Sequence, residues 1–316
     1  MANPNRSQIH FDRAITDVSI AYMQDTRNFI GDRLFPSLDV KKQSNKFFTY
    51  DKGDTLRVHT QKRAAGTESA GRDYNLASDN YFCDPYALHE MVTDQDRENA
   101  DEPLNLDVDA GQILMQDILM KKESDILSKA FATGVWSADV TPGTLWSAAG
   151  SAPIVDIKAQ ILNMVGSTGV SPLDMTFTAS PDLWNILENH EEVLDRIKYT
   201  QKGMVTQDLV ASLLGIKEVL VPLGVINTAQ KGLAATTQFM AKAKSALLTY
   251  APSSPSLKKP SAGYTFKWSG MNAAGSVASY KFYMQELRAD RIEVEAAWDH
   301  KIVSTDCGIF FEDAIA

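Results

Sequence analysis

Residues 103–132 carry apolar side chains at Leu106, Ala110, Ile113, Leu114, Ile118, Leu119, Ile126, Leu127 and Phe131, at the spacing of one helical face. A run of ~29 residues at ~1.5 Å rise spans roughly 43 Å, against ~11 residues for an ordinary helix. Asp101, Glu102 and Pro103 mark its start, with acid in the first turn and proline near the first helical position. Such a helix reads as a structural spine, and its apolar face needs a partner.

That partner is expected at the far end of the chain. The Pro/Ser-rich segment APSSPSLKKPSAG (251–263) cannot be helix. Beyond it every segment reads as strand: YTFKW, SYKFYMQEL, RIEVEAAW, KIVST and GIFF. Residues 291–296 alternate strictly, as a half-buried antiparallel strand does. Spine and strands are joined here into one unit. Between them, residues 133–153 form a small-residue loop, and about 154–250 read as a compact α/β unit. Asp156 is expected to cap a helix through Ile157, Ile161, Met164 and Val165 that Gly166 ends. Residues 175–179 alternate as a strand with Met175, Phe177 and Ala179 on one face. Ser180-Pro181 opens a helix through Trp184 and Leu187. Thr206 opens another through Leu209, Val210, Leu213 and Leu214, closed by Gly215, and residues 216–222 are strand ended by Pro222.

Ahead of the spine, residues 8–28 have a short amphipathic pattern, a helix or an arm, and Leu34-Phe35-Pro36 stops any helix. Residues 46–58 have strand character around a Lys52-Gly53-Asp54 turn, and 80–93 look like the returning strand. The stretch between, 60–80, has almost no apolar residue. The whole is a long, arm-like hairpin that could not fold alone and so lies on another surface. Its charge is lopsided. Residues 33–72 hold nine bases against four acids, a net +5, while 73–125 hold fourteen acids against three bases, a net −11. Two solvated faces are one reading; mutual neutralisation, within a chain or between copies, is the other.

Composition excludes several classes. At 316 residues there is room for about two domains. Hydrophobic content of 44% supports a core, and no window approaches the ~20 apolar residues of a membrane span. The start, MANPNRSQIHFDRAITD, lacks the apolar segment of a signal peptide, so a cytoplasm-like compartment is expected. A net charge of −9 argues against a non-specific nucleic-acid coat. Cys83 and Cys307 lie far apart and outside any C-x-x-C, which makes them reduced core residues. No phosphate-binding glycine loop, H-E-x-x-H or G-x-S-x-G occurs; His89-Glu90 lacks a second histidine. Asn105, Asp107 and Asp109 have a faint calcium-loop spacing, but Ala110 stands where glycine belongs and Gln116 at position twelve, so they read as first-turn helix acids. No catalytic, metal-binding or cofactor-binding residue is assigned.

Four segments, DRLFPSLDVKKQSNKFFTYDKGD (32–54), ADEPLNLDVDAGQILMQDILMKKESDIL (100–127), SPDLWNILENHEEVLDRIKYTQKGMVTQDLVASLLGIKEVLVP (180–222) and LLTYAPSSPSLKKPSAGYTFKW (247–268), occur in an order that spans nearly the whole chain. In that order they resemble the arm, spine helix, axial domain and peripheral-domain return of tailed-bacteriophage major capsid proteins. This is the Hong Kong 97-type fold, shared with herpesvirus floor domains and encapsulins. The resemblance implies an α+β fold with an N-terminal arm (1–45), an E-loop hairpin (46–93), an A-domain (151–250) and a P-domain. The P-domain comprises 94–150 and 251–316, with the spine helix at 103–132 and the C-terminal strands.

By the same resemblance the protein is no enzyme. It is a structural subunit that forms pentamers and hexamers and closes an icosahedral shell. The shell encloses double-stranded DNA without sequence-specific binding, in a virion assembled in the host cytoplasm. Implied partners are further copies, a portal, a packaging motor and a scaffold, with a decoration protein as a further candidate and no cofactor or membrane. No helical segment of ~100 residues precedes the arm, so a separate scaffolding protein is expected. An encapsulin-type compartment would share the fold, and a soluble α/β enzyme is the remote alternative. The family's E-loop reaches a neighbouring subunit. With the charge split, this points to Arg57, Lys62, Arg63 and Arg72 of one subunit meeting Asp94, Asp96, Glu98, Asp101 and Glu102 of the next; pairing within one chain is the rival.

Overall fold

A computed structural model of the chain describes residues 23–73, 75–100, 105–198, 205–252, 259–270 and 277–316. The amphipathic pattern over 8–22, the acids Asp101 and Glu102, and the centre of the 251–263 connector lie outside the described residues. The chain enters through a helical turn, Gly31–Leu34, that unwinds at Phe35 before Pro36, and runs into strand β1 (Ser37–Val40). Strand β2 (Ser44–Tyr50) follows, shorter than the 46–58 strand expected. At Lys52-Gly53-Asp54 the chain forms a helical turn, because Asp51 caps it by accepting from Gly53 N. The polar stretch leads to β3 (Leu76–Phe82) and β4 (Asp84–Thr93), then to helix α1 (Asp94–Asn99) with Thr93 as its cap.

The spine is α2 (Leu106–Ala130), 25 residues long, begun by Asn105, whose side chain accepts from Val108 N. A short strand β5 (Ala138–Val140) interrupts the following loop. Helix α3 (Pro153–Thr168) starts before Asp156, with Pro153 at its first position, and ends at Gly169 with φ +70 rather than at Gly166. The left-handed conformation that closes a helix falls on the glycine that can leave the helix without losing packed residues. Strand β6 (Met175–Ala179), helices α4 (Pro181–Glu188), α5 (Glu191–Ile197) and α6 (Gln207–Leu214), and strand β7 (Glu218–Leu220) come next. Thr206 and Gly215 cap α6 as their types require. Strands β8 (Val225–Asn227) and β9 (Thr237–Phe239) make a finger, and β10 (Ala246–Tyr250), β11 (Gly263–Trp268), β12 (Ala278–Met284), β13 (Ala289–Ile302) and β14 (Gly308–Phe311) complete the chain.

Two five-stranded sheets organise the described residues. In the first, the 14-residue β13 pairs with β12 and β11 on one side and β4 on the other, and β1 joins β11 in parallel. Ala110, Leu114 and Ile118 of α2 pack on Ile292, Val294, Ala296 and Trp298 of this sheet. The spine thus finds the partner its stripe demanded. The second sheet runs β5-β14-β10-β6-β7 and is packed by α3, α4 and α6. Ile126, Leu127, Ala130 and Phe131, at the other end of α2, join that second core. One helix of roughly 37 Å therefore ties both sheets together.

The final strand departs from the sequence reading. GIFF does not extend the first sheet; β14 inserts between β10 and β5 of the second. All four residues are buried and apolar or glycine, which suits a central strand covered on both faces. Strand β6 is buried throughout for the same reason, so its Thr176 and Thr178 are as enclosed as Phe177.

Candidate assembly surface

The hairpin β2–β3 is paired from Ser44↔Phe82 to Tyr50↔Leu76. Alternation gives it two faces. The inner face carries Phe47 and Tyr81, whose rings lie 5.7 and 4.4 Å from that of Phe266 on the first sheet. Phe82 N donates to Asp299 at 3.1 Å, and Lys301 and Lys52 reach Asp79 and Asp306 at 3.3 and 2.7 Å. The hairpin is thereby seated on its own subunit. Its outer face carries Phe48, Tyr50, Leu76 and Phe82, all about half exposed, with Phe48 at 61%. Past the turn, Leu56 and Val58 are exposed as well. Six large apolar side chains on one slender element form a surface of the kind that marks a protein contact.

The four basic candidates Arg57, Lys62, Arg63 and Arg72 are exposed beyond the strands. Arg63 Nε donates to Thr67 O and Arg72 to Asp54 O, at 2.5 and 3.1 Å. None of the four ion-pairs with another described residue. Of the acidic candidates, Asp94 takes Arg97 at 3.4 Å and the Tyr283 hydroxyl at 3.0 Å. Asp96 accepts from the Thr93 hydroxyl at 2.6 Å in the cap of α1, while Glu98 is exposed. Asp101 and Glu102 lie outside the described residues. Among the described residues of one chain, the bases do not pair with Asp94, Asp96 or Glu98.

Sequence reasoning missed the node that takes up Asp94 and Asp107 of the acidic segment. Arg97 also reaches Asp107 and Asp290, at 2.9 and 2.6 Å, and Lys281 bridges the same two carboxylates at 2.6 and 3.0 Å. The hydrogen bond from Lys281, with that from Arg97, holds the Asp107 carboxyl below the usual range. Arg97 is one of only three bases in 73–125, and that isolation was the available signal.

Buried polar groups are structural. Ser151 Oγ lies 2.9 Å from His190 Nε2. His190 Nδ1 accepts from Glu192 N, so the ring proton sits on Nε2 and points at the serine. Ser151 donates in turn to Ala148 O at 2.7 Å. That direction is opposite to the one in which a histidine activates a serine. His300 is buried, its Nδ1 2.9 Å from the Thr265 hydroxyl, and burial drives its pKa down to about 3. Glu123, 4% exposed on α2, accepts from Ile30 N and Gly31 N at 2.8 and 2.9 Å. Burial pushes its carboxyl up in spite of those bonds. Among the described residues no three His, Cys, Asp or Glu side chains converge as metal ligands, and no helix is long and apolar enough to cross a membrane.

The arrangement of hairpin, spine and two sheets recurs in solved structures. A phage-related protein from Bordetella bronchiseptica superposes with a TM-score of 0.69 at 20% identity, over 92% of this chain and 93% of that one. The capsid of cyanophage P-SCSP1u gives 0.66 at 10% identity, over 100% and 96%. The encapsulin complex of Synechococcus elongatus gives 0.54 at 10%, over 99% and 96%. The chain has the Hong Kong 97-type capsid fold. No family model matches it. In sequence it is 25% identical to the major capsid protein of Burkholderia phage BcepMu over 218 residues, 66% of this chain and 68% of that protein. The fold is thus the one seen in phage capsids and encapsulins, and the sequence is similar to that of a phage major capsid protein.

Proposed function

We propose that the chain is the major shell subunit of a tailed phage, assembling into pentamers and hexamers of an icosahedral capsid around packaged double-stranded DNA. The observation that carries the reading is the hairpin, apolar on both faces yet covered on one. A lone two-stranded element with an uncovered apolar face is marginal in water and becomes stable when another subunit covers it. In this reading residues 1–45 act as arm, 46–93 as E-loop, 151–250 as A-domain, and 94–150 with 251–316 as P-domain. A scaffold and a portal would be among its partners, and assembly would take place in the host cytoplasm. Negative-stain microscopy of the purified protein, alone or with its scaffold, is the test. Shells, tubes or capsomers are expected; a stable monomer under every assembly condition would refute the proposal.

The charge split supports a second element of the contact. The exposed Arg57, Lys62, Arg63 and Arg72 would meet an acidic surface of the adjacent subunit, with Glu98 the most available of Asp94, Asp96 and Glu98, and Asp101 and Glu102 as further candidates. Each exposed pair is worth ~0–1 kcal/mol but recurs in every subunit. Arg63→Glu with Arg72→Glu should leave the fold intact and impair assembly, and Glu98→Lys with Glu102→Lys should partly restore it. Normal assembly of the double arginine variant at low and high salt would exclude this pairing. An encapsulin-type compartment is the second reading, favoured by the likeness to the Synechococcus elongatus shell. Nuclease-protected DNA inside the particles, rather than a cargo protein, separates the two.

A further inference from the structure

The finger β8–β9 ends in a shaped loop. Thr228 N donates to Thr236 O at 2.9 Å, and Asn227 Oδ1 accepts from Ala229 N and Thr236 N at 3.0 and 2.9 Å. Gly232 takes φ +95, open to glycine without strain. The tip presents the cation of Lys231 and the side chain of Leu233, which is 70% exposed. An apolar knob held out on a hydrogen-bonded loop has no role in either core.

At the foot of the same finger lies a groove of about 490 Å³, lined by Leu127 and Ser128 of α2, the following Phe131, Asp182 of α4, and Phe239 and Met240. Lys242 also lines the groove, and its charge is already paired with Glu312 at 2.7 Å. Asp182 accepts only from Lys244 N, at 3.1 Å, and has no ion-pair partner among the described residues. Knob and groove match in kind: Leu233 with Lys231 on one, an apolar floor with an acid on the other. Because Leu233 is exposed, it does not fill the groove of its own chain.

We propose that the finger tip of one copy docks in the groove of a neighbouring copy, Leu233 against Phe239 and Met240 at its mouth, and Lys231 beside Asp182. The inference rests on the shell reading above and names a contact within it. Two different patches of one chain make a head-to-tail interface, which generates a ring when its rotation closes. That is the symmetry a pentamer or hexamer needs.

The test mixes two variants, Leu233→Cys and Ser128→Cys, assembles them together and oxidises the product. Both positions are exposed, and the native Cys83 and Cys307 are buried and do not compete. A disulfide joining the two different variants arises only between copies. A cross-linked dimer on a non-reducing gel, absent when either variant is oxidised alone, is expected, and Leu233→Asp should abolish assembly. Shells without the cross-link overturn the docking and leave the shell reading standing. The cross-link in small oligomers that never close supports the docking and counts against the shell. Neither shells nor cross-link overturns both.

Discussion

Gly31→Ala isolates the clamp that fastens the N-terminal segment to the spine. Glu123 lies buried on α2 with both carboxylate oxygens accepting backbone N–H groups, and Gly31 supplies one of them. A Cβ on residue 31 would stand 2.7 Å from Glu123 Oε2 and 2.8 Å from Ile126 Cγ2. Neither atom has room to retreat, because Ile126 is fully buried and Glu123 is held by two donors. Overpacking of this kind costs ~1–3 kcal/mol, and stretching a hydrogen bond to a charged acceptor removes part of a further ~1.5–3 kcal/mol. The lower entropy of the unfolded alanine chain offsets ~0.4–1 kcal/mol. The net loss should be about 2–4 kcal/mol, read as a lowered urea midpoint at unchanged slope on unassembled protein.

Glu123→Gln is the companion variant. An amide offers one acceptor where two donors point, so it should destabilise, but it also removes a charge that burial penalises. The carboxyl is raised in the folded state, so the ionised form is penalised there. That penalty is absent below the ordinary glutamate range and complete above the raised folded value. The wild-type advantage over Glu123→Gln should therefore shrink as pH rises through that window. A Gly31→Ala protein within ~0.5 kcal/mol of wild type, ordinary for an unconstrained surface position, would show that the clamp does not hold this segment.

Gly308→Ala should fail to accumulate as folded protein, since a Cβ there overlaps the indole of Trp136, itself buried and donating to Ala130 O at 2.8 Å; soluble yield beside wild type checks it. Phe48→Asp with Phe82→Asp should leave the thermal midpoint of the free subunit nearly unchanged, because both side chains face outward, yet prevent assembly; light scattering that still reports shells would refute a buried role for that face. Cys83 and Cys307 should resist thiol reagents until denaturant is added, Cys83 because burial pushes its thiol up to about 12; stoichiometric labelling of native protein would contradict it. The stretch 57–73 should be cut by trypsin in free subunits and protected in shells, which a time course on both states compares.

What the sequence determined by itself was set by local rules. The period of Leu106 to Phe131 announced the spine, Thr206 and Gly215 bracketed α6, and Ser180-Pro181 opened α4, because capping and helical spacing act over a few residues. The ordered likeness to capsid proteins carried the fold. Of the candidate assembly surface, the basic loop was legible as a charge run. The apolar outer face of the hairpin was not, because Phe47 and Phe48 are chemically alike, and only the side on which Phe266 stands decides which is covered. The isolation of Arg97 was a signal, but its partner Asp290 was not legible, since it lies far along the chain. Tertiary structure also decided that GIFF leaves its sequence neighbours for the second sheet, and that the two ends of α2 serve different cores. A strand's partners and a helix's cover are chosen by long-range packing, which a local pattern of side chains constrains but does not specify.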